Sequence, residues 1–282
     1  MATTNLLVPP PLQRGDKVAL VAPARWASDE VVAAGVAQCE RWGFEAVVHP
    51  WTRERYGQFG GSDEQRAEVL NHAFRDSDVR AVWALRGGYG CTRLLPRLDV
   101  EALRSDPTWV MGFSDVTALH GWASCAGVAS LHGPVVSTLS TTDAGDVLSL
   151  HRALTTPHVA NPNRRVVGGN LSVLYAMLGT PFFPPVAGRW LLLEDLDEYV
   201  YHLDRMFVAF AQAGVFDAVE GVMVGSFTDL KDNTKAFGQA VDNPFGRSVR
   251  EMIEEHVVAR GCRVEWDVPS GHGQRNAPVV LG

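Results

Sequence analysis

The stretch WVMGFSDVTALHGW, Trp109 to Trp122, changes character in its middle. A short apolar run, Trp109-Val110-Met111, stops at Gly112 and reads as a buried strand. Val116-Thr117-Ala118-Leu119 then opens a helical run. A strand that turns directly into a helix is the building unit of a parallel α/β sheet. Ser114 and Asp115 sit on the corner between the two.

The flanking sequence repeats this alternation. KVALVAPA, from Lys17, reads as a buried strand, and SDEVVAAGVAQCERWGF as a helix capped by Ser28 or Asp29 with Gly43 near its end. EAVVHP is the next strand. GGSDEQRAEVLNHAFRDSD follows as a helix, with Ser62 as N-cap and acids in its first turn. VRAVWALRGG, from Val79, is a strand that breaks into a glycine-rich turn, and a short helix lies around TRLLPRL. Strands separated by helices predict parallel pairing and a sheet covered on both faces.

Between Thr141 and Arg165 the pattern weakens into a helix and then a stretch rich in Thr, Pro and Asn. This divides the chain into an N-terminal unit, 1–145, a helix and linker, 146–168, and a C-terminal unit, 169–282. The third part contains GGNLSVLYAMLGTPF and the strand RWLLLEDLDE, followed by the helix YHLDRMFVAFAQAG and the strand VEGVMVGSF. It ends with the helix GRSVREMIEEHVVARG and the strand CRVEWDVPSGHG.

Apolar residues make up 46 % and charged residues 20 % of the 282 positions, the balance of an ordinary globular protein. The net charge of −7, with Lys and Arg scattered, argues against a nucleic-acid partner. No apolar run reaches the roughly 18 residues that span a bilayer. MATTNLLVPPPLQRGDKV lacks the charged start and apolar stretch of a secretory signal, so the expected location is the cytoplasm. Cys39, Cys91, Cys125 and Cys262 are far apart and form no CxxC pair, which predicts neither a metal site nor a disulfide framework.

Ser114 has two readings. Ligands of an open parallel sheet bind beyond the carboxyl ends of its strands. A serine on a tight strand-to-helix turn there follows the logic of a nucleophile elbow. The G-x-S-x-G pattern is incomplete, because Val116 replaces the second glycine. The plainer reading is that Ser114 or Asp115 caps the helix. LRGGYG, Leu85 to Gly90, also ends a strand, and its glycines would let backbone N–H groups reach a developing oxyanion. The alternative is a simple connection. Cys91 follows that turn with no evident base beside it.

A serine nucleophile needs a base. His272 is favoured among nine histidines, because VPSGHGQRN is a polar, glycine-rich loop that leaves an imidazole accessible. His132, in SLHGP, stands near the site or serves the core. His120 lies on the helix after Ser114. His72, His202 and His256 sit in amphipathic helices, and His49, His151 and His158 have no suggestive setting. A carboxylate would fix the tautomer of the base. LLLEDLDEY supplies Glu194, Asp195, Asp197 and Glu198, of which Glu194 emerges first from the apolar strand; others of the four read as caps on an exposed turn.

Taken together, LRGGYGCTRLL, GFSDVTALH, HGP, GGNLSVL, LLLEDLDEYVYHLDRM and PSGHG resemble the LD-carboxypeptidase family of serine peptidases. Relatives of that family include the microcin C self-immunity hydrolases. The similarity runs in order from about Lys17 to Gly282. It implies Ser114 as nucleophile, Glu194 and His272 as the other triad members, and an oxyanion hole from the N–H groups of Gly88 and Asp115. It also implies a flavodoxin-like N-terminal domain with a parallel sheet and a smaller C-terminal α/β domain with a mixed sheet. The site would lie at their junction, in a homodimer. No cofactor or metal is implied. The typical reaction removes the terminal D-alanine of a murein tetrapeptide during cytoplasmic cell-wall recycling.

The segment LEDLDEYVYHLDRM is more similar to the carboxypeptidase branch than to the immunity branch. A substrate ending in a carboxylate calls for a cation, and Arg86, beside Gly88, is the candidate; a salt bridge is its plainer role. Two other readings stand. One is hydrolysis of an aminoacyl-nucleotide antibiotic, with Trp26, Trp51 or Tyr56 stacking the base. The other is a non-catalytic, two-lobed small-molecule binder. Relatives usually extend some residues past NAPVVLG, so the sequence is either trimmed or short of a final strand.

Overall fold

The computed structural model describes residues 6–157 and 164–282. His158 lies outside them. The described residues form two sheets.

The first sheet contains β1 (Lys17–Val21), β2 (Glu45–Val47), β3 (Val79–Ala84), β4 (Trp109–Gly112) and β5 (Ser130–His132). The second contains β6 (Val166–Asn170), β7 (Trp190–Leu196), β8 (Gly221–Thr228) and β9 (Arg263–Glu265). A last strand, β10 (Val279–Leu281), returns to the edge of the first sheet beside β5. The helices are α1 (Asp29–Trp42), α2 (Asp63–Arg75), α3 (Val100–Ser105), α4 (Thr117–Cys125) and α5 (Ala144–Thr155). The remainder are α6 (Leu171–Met177), α7 (Val200–Gln212), α8 (Val215–Ala218) and α9 (Val249–His256).

β1 explains why these strands read as continuous apolar runs. Val18 and Leu20 face one core with Trp83 and Trp109, while Ala19 and Val21 face the other with Leu70 and Val110. A strand buried on both faces has no polar side to display. Each large side chain so buried stabilises the fold by about 1.5–3 kcal/mol. β7 repeats the device: Leu191 and Leu193 enter one cluster and Leu192 another. Ser62 caps α2 as expected, in a capping box with Gln65.

The order of the first sheet is β10-β5-β4-β3-β1-β2. Its 2-1-3-4-5 core is the flavodoxin-like order, with the reversal between β1 and β3. The α/β class and the two-sheet architecture are as expected. The sheet types are the other way round. β10 pairs antiparallel with β5, Val280 opposite Leu131, which makes the first sheet mixed. The second sheet, β6-β7-β8-β9, is parallel throughout. The cause is the chain's return: β10 needs no crossover helix and so enters from the opposite direction.

Hydrogen bonds tie the second sheet to elements of the first. Thr117 Oγ1 at the start of α4 accepts the Asn170 N–H of β6 at 2.9 Å, and the Gly282 N–H donates to the Val166 carbonyl at 2.7 Å.

Candidate active site

Ser114 lies just past β4, with φ 63° in the left-handed region. An L-residue there carries about 1–2 kcal/mol of strain. Neither Ser114 nor Asp115 caps by its side chain: the 3-10 turn Ser114–Val116 and α4 both begin without a side-chain cap. The strained corner therefore has no side-chain cap to explain it. Gly87 permits the corner, because a Cβ at that position would fall 2.8 Å from Ser114 Cβ and 2.9 Å from its Oγ.

The glycine-rich turn is pinned to this corner from below. The buried Asp115 carboxylate accepts the Cys91 N–H at 2.8 Å. Burial pushes the Asp115 carboxyl upward. The Cys91 thiol is fully buried, and burial together with Asp115 holds its pKa well above the usual value, which leaves it unreactive. Arg66, almost wholly buried, donates to the carbonyls of Gly90, at 3.1 Å, and Pro23. Its guanidinium thus ties the loop after β3 to the loop after β1.

The second corner is assembled from distant segments. Glu194 lies near the end of β7 with no exposed surface. Its Oε2 contacts His272 Nδ1 at 2.6 Å. That bond leaves Nε2 as the second ring nitrogen. Phe113, adjacent to Ser114, packs against the His272 ring with centroids 4.5 Å apart. Gly271 makes the approach possible: a Cβ there, at φ 117°, would sit 2.5 Å from Ser226 Oγ and 2.9 Å from Glu194 Oε2. Ser114 and His272 line one pocket of about 450 Å³, with Arg86, Gly87, Gly88 and Tyr89. So the three distant segments do come together.

The family model of the LD-carboxypeptidase N-terminal domain matches residues 18–133, and that of the LD-carboxypeptidase C-terminal domain matches residues 164–282. The chain belongs to the LD-carboxypeptidase family. The murein tetrapeptide carboxypeptidase of Pseudomonas aeruginosa is 32 % identical over 290 residues, covering 94 % of this chain and 91 % of the relative. The muramoyltetrapeptide carboxypeptidase of Oxalobacter formigenes superposes with a TM-score of 0.81 at 25 % identity, over 94 % of this chain and 92 % of that one. The microcin C7 self-immunity protein MccF superposes at 0.83 with 21 % identity, over 99 % and 94 % of the two chains, a likeness of fold. Membership in the LD-carboxypeptidase family makes the chain a peptidase by lineage.

Other residues of this LD-carboxypeptidase family member fall into place around the pocket. Arg86 is half-buried in its wall and, among the described residues, makes no ion pair, contrary to the plainer expectation for it. Arg25, from the loop after β1, lines the same wall and also lacks a side-chain partner among the described residues. Sequence reasoning missed it, since nothing in APARWAS distinguishes it from other arginines. Trp26, Trp51 and Tyr56 do not line this pocket; the exposed ring in it is Tyr89. Among the described residues no cluster of His, Cys, Asp or Glu side chains could hold a metal ion.

The acidic run splits. Asp197 pairs with Lys231 at 2.6 Å and Glu198 with His202 at 2.7 Å, and neither caps α7 by its side chain. Asp195 is buried beside Glu194 and accepts N–H groups from Asn170 and Ser172, each at 2.9 Å, and from Leu196 at 2.8 Å. Burial, and then Glu194, push its carboxyl up to about 7. His120 is a core residue: Nε2 bonds the Gly112 carbonyl and Nδ1 bonds Ser130 Oγ, each at 2.9 Å, and burial pushes its pKa down to about 4. His132 is fully buried, its ring centroid 6.1 Å from that of Phe113, and burial holds it well below its usual pKa.

Proposed function

We propose that this LD-carboxypeptidase family member is a serine peptidase that cleaves an L,D-peptide bond and releases the terminal D-alanine of a murein tetrapeptide. The observation that carries the reading is the 2.6 Å contact between Glu194 and His272, in a pocket that Ser114 also lines. His272 Nε2 takes the Ser114 Oγ proton as Oγ attacks the scissile carbonyl carbon. Glu194 holds the imidazole by Nδ1 and stabilises its protonated form. The Gly88 and Asp115 N–H groups donate to the oxyanion. The imidazolium passes its proton to the leaving amine, and water then hydrolyses the acyl-serine by the reverse route.

The Asp115–Cys91 bond supports this assignment, because it holds the two proposed oxyanion segments in fixed register. A role in cytoplasmic cell-wall recycling, and action as a homodimer, belong to the same proposal. The names of the two carboxypeptidase relatives support the peptide substrate over an aminoacyl nucleotide. Among the described residues no helix is long and apolar enough to cross a membrane.

The test is a side-by-side assay of a murein tetrapeptide and an aminoacyl-sulfamoyl adenylate, with fluorophosphonate labelling in parallel. The expected result is release of D-alanine from the peptide and labelling at Ser114. Turnover of the adenylate alone would move the substrate to the immunity type. Ligand binding with neither labelling nor turnover would make the chain a binding protein.

A further inference from the structure

The charged side chains lining the pocket are not all paired. Asp197 pairs with Lys231, and Glu198 Oε2 contacts His202 Nδ1. His272 is held by Glu194. Arg25 and Arg86 remain, and among the described residues neither has an ion pair or hydrogen bond. In a chain of net charge −7, two unpaired guanidinium groups line one cavity beside the proposed nucleophile.

Their placement follows from the topology. Arg25 leaves the carboxyl end of β1 and Arg86 that of β3, the strands that flank the reversal of strand order. Ligands of open parallel sheets bind in that crevice. The buried Arg66 bridges Pro23 and Gly90, so the two loops that present the arginines are fixed relative to each other. The Arg25 side chain lies directly across Gly88: a Cβ on that glycine would be 2.6 Å from Arg25 Cδ.

We propose that Arg25 and Arg86 bind the free α-carboxylate of the residue that is released, and thereby restrict the enzyme to removing one terminal residue. The proposal rests on the serine-peptidase reading above. An α-carboxylate on the leaving residue lies only a few bonds from the scissile carbonyl. Its cation must therefore stand beside the oxyanion donors, where Arg25 crosses Gly88. A planar guanidinium matches a carboxylate with two parallel N–H donors, which a lysine at either position would not reproduce.

The experiment compares an L,D-tetrapeptide with a free C-terminal carboxylate against the same peptide as its C-terminal carboxamide. Wild type, Arg25→Gln and Arg86→Gln are assayed on both. Wild type is expected to favour the acid by about 10- to 100-fold in kcat/KM, the value of a charge-assisted hydrogen bond. In each variant that acid-over-amide ratio falls toward one. Ratios that stay at the wild-type value, or equal rates of wild type on both peptides, overturn the proposal. If a Gln variant does not fold, Arg25→Lys gives the same readout: an intermediate ratio supports the fork, and a wild-type ratio overturns it. Failure of the underlying reading looks different: wild type then cleaves neither peptide and Ser114 takes no fluorophosphonate.

Discussion

The two corners of the proposed active site are built in opposite ways. The proposed nucleophile corner is one continuous stretch, β4 to α4, whose geometry is stored in the backbone as a positive φ at Ser114. The acid–base corner joins residues 78 positions apart in sequence, Glu194 and His272, and its geometry depends on the absent side chain of Gly271. The first is preorganised locally and the second by tertiary packing. Substitutions at the first should therefore act mainly on chemistry, and at the second on chemistry and folding together.

The largest expected effect is at the first corner. Ser114→Ala should lower kcat by about 10⁶-fold if the triad acts as a unit. Ser114→Gly should be as inactive but more stable than Ser114→Ala by about 1 kcal/mol, because glycine relieves the left-handed strain. Kinetics and urea unfolding of the two variants check this; equal stabilities would show that the corner stores no strain.

At the second corner, Glu194→Gln should lower kcat by about 10⁴-fold, through loss of control over the His272 tautomer. Gly271→Ala should cost about 1–3 kcal/mol of stability as well as activity, since its Cβ overpacks Ser226 and Glu194. A Gly271→Ala protein with wild-type stability and activity would mean that the His272 loop adapts freely, and that the corner is not set by packing.

The smallest effects are in pH dependence, where the corners pull in opposite directions. Asp195, at the second, rises from its ordinary 3.8 to about 7. Between those values the folded chain keeps a proton that the unfolded chain releases. Its contribution is full below about pH 4 and is lost as pH climbs to about 7. His120, at the first, falls from 6.5 to about 4, so its contribution is present above pH 6.5 and lost as pH falls to about 4. Unfolding free energies from pH 4 to 8 should decline more steeply with rising pH in His120→Gln than in wild type. In Asp195→Asn they should rise instead. Each variant also carries a constant offset of about 1–3 kcal/mol for the disturbed buried hydrogen bonds. Parallel curves for all three proteins would contradict both assignments.

The same contrast governs what could be read from the sequence. The β4–Ser114–α4 corner was legible because strand, turn and helix follow one another within a few residues. Glu194 and His272 were legible as candidates, since an acid ending an apolar strand and a histidine between glycines are local patterns. Their meeting was not, because it depends on Gly271 and Ser226 fitting against each other. Asp195 reads like its acidic neighbours, and only the neighbouring β6, through Asn170, shows that it faces inward. Arg25 had no local signal at all; its proposed role comes from where β1 ends relative to Gly88. The sheet type of β10 was equally hidden, since a three-residue strand pairs wherever the tertiary fold delivers it.

β10 gives the acid–base corner one more property. His272 sits on the segment that runs from β9 in the second sheet to β10 in the first. During ribosomal synthesis the N-terminal part of a chain folds before the rest has emerged. The nucleophile corner can thus be complete while the histidine is still unmade or inside the exit tunnel. If His272 is the base proposed above, a nascent chain is hydrolytically silent until the closing strand docks and carries the imidazole into place.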